Sequence, residues 1–236
     1  MPNPTTYPHP ALATDVVVLC VQNGCLACLL SARDDADTVG GDWALPGGFV
    51  HMGEPLEESL RRVIDEKTGL SGLHAEQLAT YGAPDRDPRD HVVSVTYLAI
   101  AQADALETAI KGNDKLCVAS IDVDWDGETG GPADAIDAQG KPLRLAFDHT
   151  TILGDVVKRL RGKLDYTPIG FAFLPPRFTL KDAQDVHEAI LGRPLTKPAF
   201  RRKLLDRHAL VATGAFQVPD VDPMAVAANE DKNDPV

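Results

Sequence analysis

Residues 47–70, GGFVHMGEPLEESLRRVIDEKTGL, constrain the fold more than any other stretch. Paired glycines open a turn in which no Cβ keeps the backbone from a ligand. From 56 to 67 the spacing is helical, with Leu56, Leu60, Val63 and Ile64 on one side, and Gly69 closes the run. The stretch looks like a box able to hold metal ions over a diphosphate. Positions 63 and 67 lie one turn apart on one helix face. Two carboxylates there would bind a hard divalent cation, which would polarise a phosphoryl oxygen and activate a water. The chain has Val63, which offers no oxygen, and Lys67, which repels the metal. Glu66 alone is a weak site, so no metal and no catalytic residue is expected.

Strand and turn signals surround the box. Residues 15–21, DVVVLCV, read as a strand, Asn23-Gly24 as a hairpin turn, and 25–31 as the returning strand. Residues 91–101, HVVSVTYLAIA, are rich in β-branched side chains and read as a further strand. Residues 122–140 are rich in Asp and Gly and read as a surface loop. Strands mixed with helices predict an α/β sandwich for residues 1–148.

Charge divides the chain. Its formal net charge is −12, which by itself argues against a nucleic-acid partner. Yet residues 151–217 carry 12 Lys and Arg against 6 Asp and Glu, which suggests two modules with different partners. Residues 150–164 read as a helix with Ile152, Val156, Leu160 and Leu164 on one stripe. Thr179 and Asp182 form a capping box for a second helix that ends at Gly192. Thr196 caps a third, KPAFRRKLLDRH, and two short strands flank Gly214. Helix, turn, basic helix and hairpin predict an α+β winged helix-turn-helix at 149–218. The acidic stretch 219–236 reads as a disordered tail.

The box resembles that of Nudix domains, matching at Gly48, Glu54, Arg62, Ile64, Glu66, Gly69 and Leu70. It departs from the family at Val63 and Lys67, which puts hydrolysis in doubt. Together with YGAPDRDPRDHVVSVTYLA and the segments after 161, the chain resembles Nudix-related transcriptional regulators of NAD metabolism over residues 14–215. That resemblance implies a Nudix sandwich of mixed sheet and flanking helices joined to a winged helix. It further implies a homodimeric repressor of NAD biosynthesis or salvage genes, bound to palindromic operator DNA. ADP-ribose or a related nucleotide would occupy the old substrate pocket and release the DNA, with no cofactor required. An active hydrolase of ADP-ribose or another nucleoside diphosphate derivative is the competing reading, and a protein-binding module the third.

Residue expectations follow. Arg33 and Arg86 are candidates for the diphosphate, although Asp85 and Asp87 could instead engage Arg86 in an ion pair. Lys67 is either a fixed counter-charge for the diphosphate or a solvated helix residue. Trp43, Phe49 and Tyr81 either line an adenine pocket or pack in the core, and Gly47 and Gly48 allow close backbone approach. Arg62 and Glu66 form an i,i+4 pair, and Glu54 anchors the loop. At about 100° per residue, Phe200, Leu204 and Leu205 face the preceding helix, and Arg202 and Lys203 face outward. Arg202 is the candidate for base contact. Arg201, Lys203, Lys197 and Thr196, with Lys163 and Arg161 on the linking helix, are candidates for phosphate contact.

Two bounds complete the reading. No stretch approaches the roughly 18 apolar residues of a membrane span, and no secretory signal is seen in the N-terminal residues. Cys25 and Cys28 fall in a strand, where residues three apart point to opposite faces. They are expected to be small buried hydrophobes rather than a metal or redox pair, in keeping with a reduced, cytoplasmic setting.

Overall fold

The computed structural model describes residues 8–33, 41–207, 211–212 and 216–217. Twelve strands and five α-helices are defined among them. The first strand, β1 (Ala11–Gln22), is buried almost end to end. Alternation sends its side chains into two separate cores: Val17 and Leu19 to one face, Val16, Val18 and Cys20 to the other. Asn23 and Gly24, at φ of 52° and 76°, make the expected tight turn. β2 (Cys25–Ala32) returns antiparallel, with Cys20 opposite Ala27. Within it the two thiols point apart, and the expectation that both are buried is corrected: Cys28 is buried, but Cys25, the first residue after the turn, is exposed.

β5 (Ala75–Tyr81), β6 (Val92–Ile100), β7 (Leu116–Asp122), β8 (Asp134–Ile136) and β9 (Pro142–Leu143) extend the sheet in the order β5-β6-β1-β2-β7-β8-β9. The β1–β6 pair is parallel and the others are antiparallel. β3 (Trp43–Ala44) pairs with β2, and β4 (Gly47–Phe49) with β1. β8 is a correction: the region 122–140 is not all loop, because Ala135 returns to pair with Ile121.

Helices cover both faces. α1 (Leu56–Thr68) buries Leu60, Val63 and Ile64 on one face beside α2 (Ala103–Ile110), and Gly69 ends it at φ 67°. α3 (His149–Lys163) covers the other with Ile152, Leu153, Val156, Val157 and Leu160. The boundary at 148/149 expected from the sequence therefore separates α3 from the sheet it covers. The expected apolar stripe is present, and it packs both on the sheet and on the segments that follow α3.

A 3-10 turn (Ile169–Phe173) and α4 (Leu180–Leu191) follow. The capping box on Thr179 and Asp182 is present, and Gly192 ends α4 in the left-handed conformation. Phe173, Val186 and Ile190 join the α3 core. α5 (Lys197–Arg207) packs Phe200 and Leu204 with Phe171, Phe178 and Ala183 in a separate small core. Leu205 does not join them and is 52% exposed, because Phe200 and Leu204, four apart, already define the inner face. β10 (Arg177–Phe178), β11 (Val211–Ala212) and β12 (Phe216–Gln217) form a three-stranded sheet in the order β10-β12-β11. The tail 219–236 and the hairpin tip at Gly214 lie outside the described residues.

Candidate ligand cleft and nucleic-acid interface

A cleft of about 310 Å³ opens between the box turn, the end of β2 and the loop that enters α3. β4 pairs Gly47 with Asp15, and a Cβ at Gly47 would stand 2.0 Å from Asp15 Oδ1. Glycine is thus required by a carboxylate from β1. At Gly48 the same added atom would lie 3.2 Å from Val63 Cγ2, so position 63 is the floor beneath the turn.

Arg62 locks the turn to α1. It donates to Glu54 from Nε and Nη2 at 2.7 and 2.8 Å, and to the Phe49 carbonyl at 2.9 Å. Glu54 also accepts from the His51 N–H. The Arg62 hydrogen bonds hold the Glu54 carboxyl down to about 2. The expected Arg62–Glu66 contact exists at 3.6 Å and is the minor one.

These contacts decide whether a metal fits. Val63 is core, Lys67 lines the cleft as a cation, and Glu54 and Glu66 engage Arg62. Among the described residues no three His, Cys, Asp or Glu groups come together as a metal site. The donor set does not suit a divalent cation.

Of the expected ligand residues, Arg33, Gly47, Gly48, Phe49, Lys67 and Arg86 line this one cleft. Trp43 and Tyr81 do not. Trp43 packs against the core that α3 covers and lines a different groove with Leu116 and Leu143, where the pairing of β3 with the end of β2 places it. Tyr81 points at α3 and donates to Asp155 at 2.8 Å. Burial and the Asp155 carboxylate raise its hydroxyl well above the usual phenol range. Arg86 is placed in the cleft wall but engaged elsewhere than with its sequence neighbours. It forks onto Asp148 at 2.9 and 2.7 Å and lies 3.6 Å from Asp15, while Asp87 turns to Arg89.

Residues unnoticed in the sequence complete the site. Ser94 donates to Asp15 Oδ2 at 2.6 Å. His149 accepts the Leu45 N–H on Nδ1 at 3.0 Å and brings Nε2 to 4.0 Å from Asp15. Burial pushes the His149 imidazole below its ordinary value, which keeps that acceptor available. Phe147 lies between Arg33 and Arg89, whose guanidinium carbons stand 4.6 and 5.3 Å from the ring centre. Its φ of 56° is left-handed, a conformation that costs a non-glycine residue about 1–3 kcal/mol. The residues that follow enforce it: Asp148 is held by Arg86 and His149 by Leu45. An Asp at the head of a β-branched strand was the available signal for this polar cluster. No local signal pointed to Phe147.

On the second module, Thr196, Lys197, Arg201, Arg202 and Lys203 are exposed. Lys203 pairs with Asp165. Two expected phosphate contacts are corrected. Lys163 is largely buried and pairs with Glu76. Arg161 is buried and donates to the carbonyls of Ile190, Trp125 and Gly127, with its guanidinium over the Trp125 ring. They leave α3 in different directions, Lys163 toward β5 and Arg161 toward α4 and the 125–127 loop.

Known proteins match this arrangement. The NUDIX domain family matches residues 9–122 and the NrtR DNA-binding winged helix domain matches residues 170–220. A relative from Acinetobacter baylyi, the ADPR responsive transcriptional repressor NtrR, is 32% identical over 219 residues, 92% of this chain and 81% of its own. The chain belongs to the NrtR family. The crystal structure of Shewanella oneidensis NrtR superposes with a TM-score of 0.71 at 30% identity, covering 92% of this chain and 96% of that one. The same Shewanella NrtR complexed with a 27mer DNA gives 0.70 at 28% identity, covering 88% and 93%. Membership in the NrtR family accounts for both the Nudix sandwich and the winged helix that follows α3. No helix among the described residues is long and apolar enough to cross a membrane.

Proposed function

We propose that this chain is a sequence-specific DNA-binding repressor whose Nudix pocket has become a sensor. ADP-ribose or a related nucleotide binds the cleft and releases the operator, and the chain does not hydrolyse that ligand. The observation that carries this reading is the box helix, which turns Val63 into the core and Lys67 into the cleft. A cation there meets a diphosphate but activates no water. The name of the Acinetobacter relative and the DNA-bound Shewanella structure support the two binding roles. The regulated genes, by the family resemblance, are those of NAD biosynthesis or salvage. The functional unit is a homodimer on a palindromic operator, as two-fold winged helices require. We divide the chain after α3, in keeping with its packing on the sheet and the winged-helix match from residue 170.

The diphosphate is assigned to Lys67, with Arg33 beside it. Arg86 shapes the wall and orients Asp15 and Asp148. A sensor must bind its ligand unequally in the DNA-bound and free states. ADP-ribose is therefore expected to weaken operator binding by about 5- to 150-fold. By linkage, operator duplex weakens ADP-ribose binding by the same factor. Calorimetric titration of ADP-ribose with and without duplex measures both. Equal affinities in the two titrations rule out ADP-ribose as the effector.

α5 supplies the reading residues. Arg202 is exposed, away from Phe200 and Leu204, and an Arg can hold guanine O6 and N7 together. Arg202→Ala is expected to cost about 1–3 kcal/mol and to relax sequence choice. Lys203→Ala should weaken all duplexes alike, since phosphates carry no sequence. Gel shifts on operator and scrambled duplexes separate the two. Unchanged operator binding by Arg202→Ala would mean that another face of α5 enters the groove.

A further inference from the structure

A second cavity, also about 310 Å³, lies behind α5 and apart from the nucleotide cleft. Its walls come from the 127–128 loop, the end of α3, α4, the α4–α5 turn and the inner side of α5. Leu164, Leu191, Leu195, Phe200 and Leu204 make its body apolar. The turn that closes it is braced. Leu195 donates its N–H to Glu188 at 2.8 Å, and Gln184 donates to the Leu195 carbonyl at 3.1 Å.

Two guanidinium groups face this apolar body with donors to spare. Arg161, 6% exposed, uses Nε and Nη1 on three carbonyls. Its Nη2 makes no hydrogen bond among the described residues. The glycine that ends α4 leaves that corner open, since a Cβ at Gly192 would stand 3.0 Å from Nη2. That nitrogen is therefore available to an acceptor brought into the cavity. Arg193, also lining the cavity, is exposed and has no carboxylate partner among the described residues. Near Arg161, Arg193 and Lys203 stand Glu128 and Asp165 in the cavity wall and Asp126 close to Arg161, and Asp165 already pairs with Lys203. A monocarboxylate meets the field of Glu128 and Asp165 with one negative charge, a dianion with two.

We propose that this cavity binds a small apolar monocarboxylate, its carboxylate on Arg161 and Arg193 and its body against Leu164, Phe200 and Leu204. A guanidinium presents two parallel N–H donors that fit a carboxylate, and the volume suits a compact ligand. Because α5 is one wall, the occupant touches the helix that carries Arg202 from its inner side. This site is independent of the nucleotide cleft and of what that cleft binds.

The test uses the full chain and 2-naphthoate, with uncharged 2-naphthylmethanol and dianionic 2-naphthyl phosphate as controls. Trp125 reports, since its ring stacks on Arg161 and its indole N–H donates to the Pro132 carbonyl at 3.1 Å. 2-Naphthoate is expected to shift that indole resonance saturably, and both controls to bind at least about tenfold more weakly. Arg193→Glu is expected to weaken 2-naphthoate by at least about tenfold, and Ala199→Trp, which fills the mouth, to abolish it. Both variants should titrate ADP-ribose like the parent chain, a readout that also certifies their folding. The proposal is overturned if the indole does not shift saturably. It is equally overturned if the alcohol binds as well as the acid, or if neither substitution weakens binding.

Discussion

Arg86→Met is expected to lower stability by about 3–5 kcal/mol, the usual cost of removing one partner of a buried ion pair. In a chain of this size that corresponds to a melting temperature lower by roughly 6–20 °C. The arithmetic rests on what Arg86 leaves behind. Its side chain is 3% exposed and faces Asp148 at 22% and Asp15 at 11%. Methionine fills the volume and removes the charge, so two carboxylates are left close together with no cation between them. Asp148→Asn in the Arg86→Met background should recover part of the loss, because one of those orphaned charges is gone. Thermal melts of the single and double variants measure this. A loss below about 1 kcal/mol would place the Asp15–Arg86–Asp148 cluster among weak surface pairs.

Given Mg²⁺ or Mn²⁺, the chain is expected to release AMP from ADP-ribose at a rate far below the ~1 per second of an ordinary enzyme. The reason is local. An oxygen at 63 would have to emerge from beneath Gly48, where Val63 now packs. A carboxylate at 67 would have to replace the cation that lines the cleft. Val63→Glu with Lys67→Glu puts both back one turn apart and should confer divalent-metal binding, measurable by titration with Mn²⁺. Glu54 would not join them without giving up Arg62, which holds the turn. Steady turnover by the unaltered chain near 1 per second would show that other carboxylates serve.

The sequence spoke most clearly where local rules act. The hairpin at Asn23-Gly24, the helix closed by Gly69 and the capping box on Thr179 depend on neighbours a few residues away, and the structure has all three. Arg33, Lys67 and Arg86 were chosen as candidate cations, and the fold brings them to one cleft. What escaped were long-range choices. Arg86 had Asp85 and Asp87 beside it, yet Asp148, 62 residues away, holds it. Lys163 and Arg161 read as a solvated basic face, yet residues distant in sequence take up both: Glu76 on β5 pairs with Lys163, and the carbonyls of Trp125, Gly127 and Ile190 hold Arg161. Tyr81 and Trp43 carry the right chemistry for a base pocket but sit on strands whose pleat turns them elsewhere.

α3 also governs how such a chain can change length. A tether between modules would accept an added or deleted residue anywhere. Here a single insertion between 152 and 160 would rotate everything after it by about 100°. Ile152 would keep its place on the sheet while Arg161 swung away from Trp125 and Gly127. The segment that can absorb drift lies further on, at Pro175 and Pro176, which are exposed between the 3-10 turn and β10. Even there Gln102 grips the Ala172 and Leu174 carbonyls from the first module. Lineages with this architecture should therefore vary in the length of their loops while conserving the residue count from His149 to Leu164.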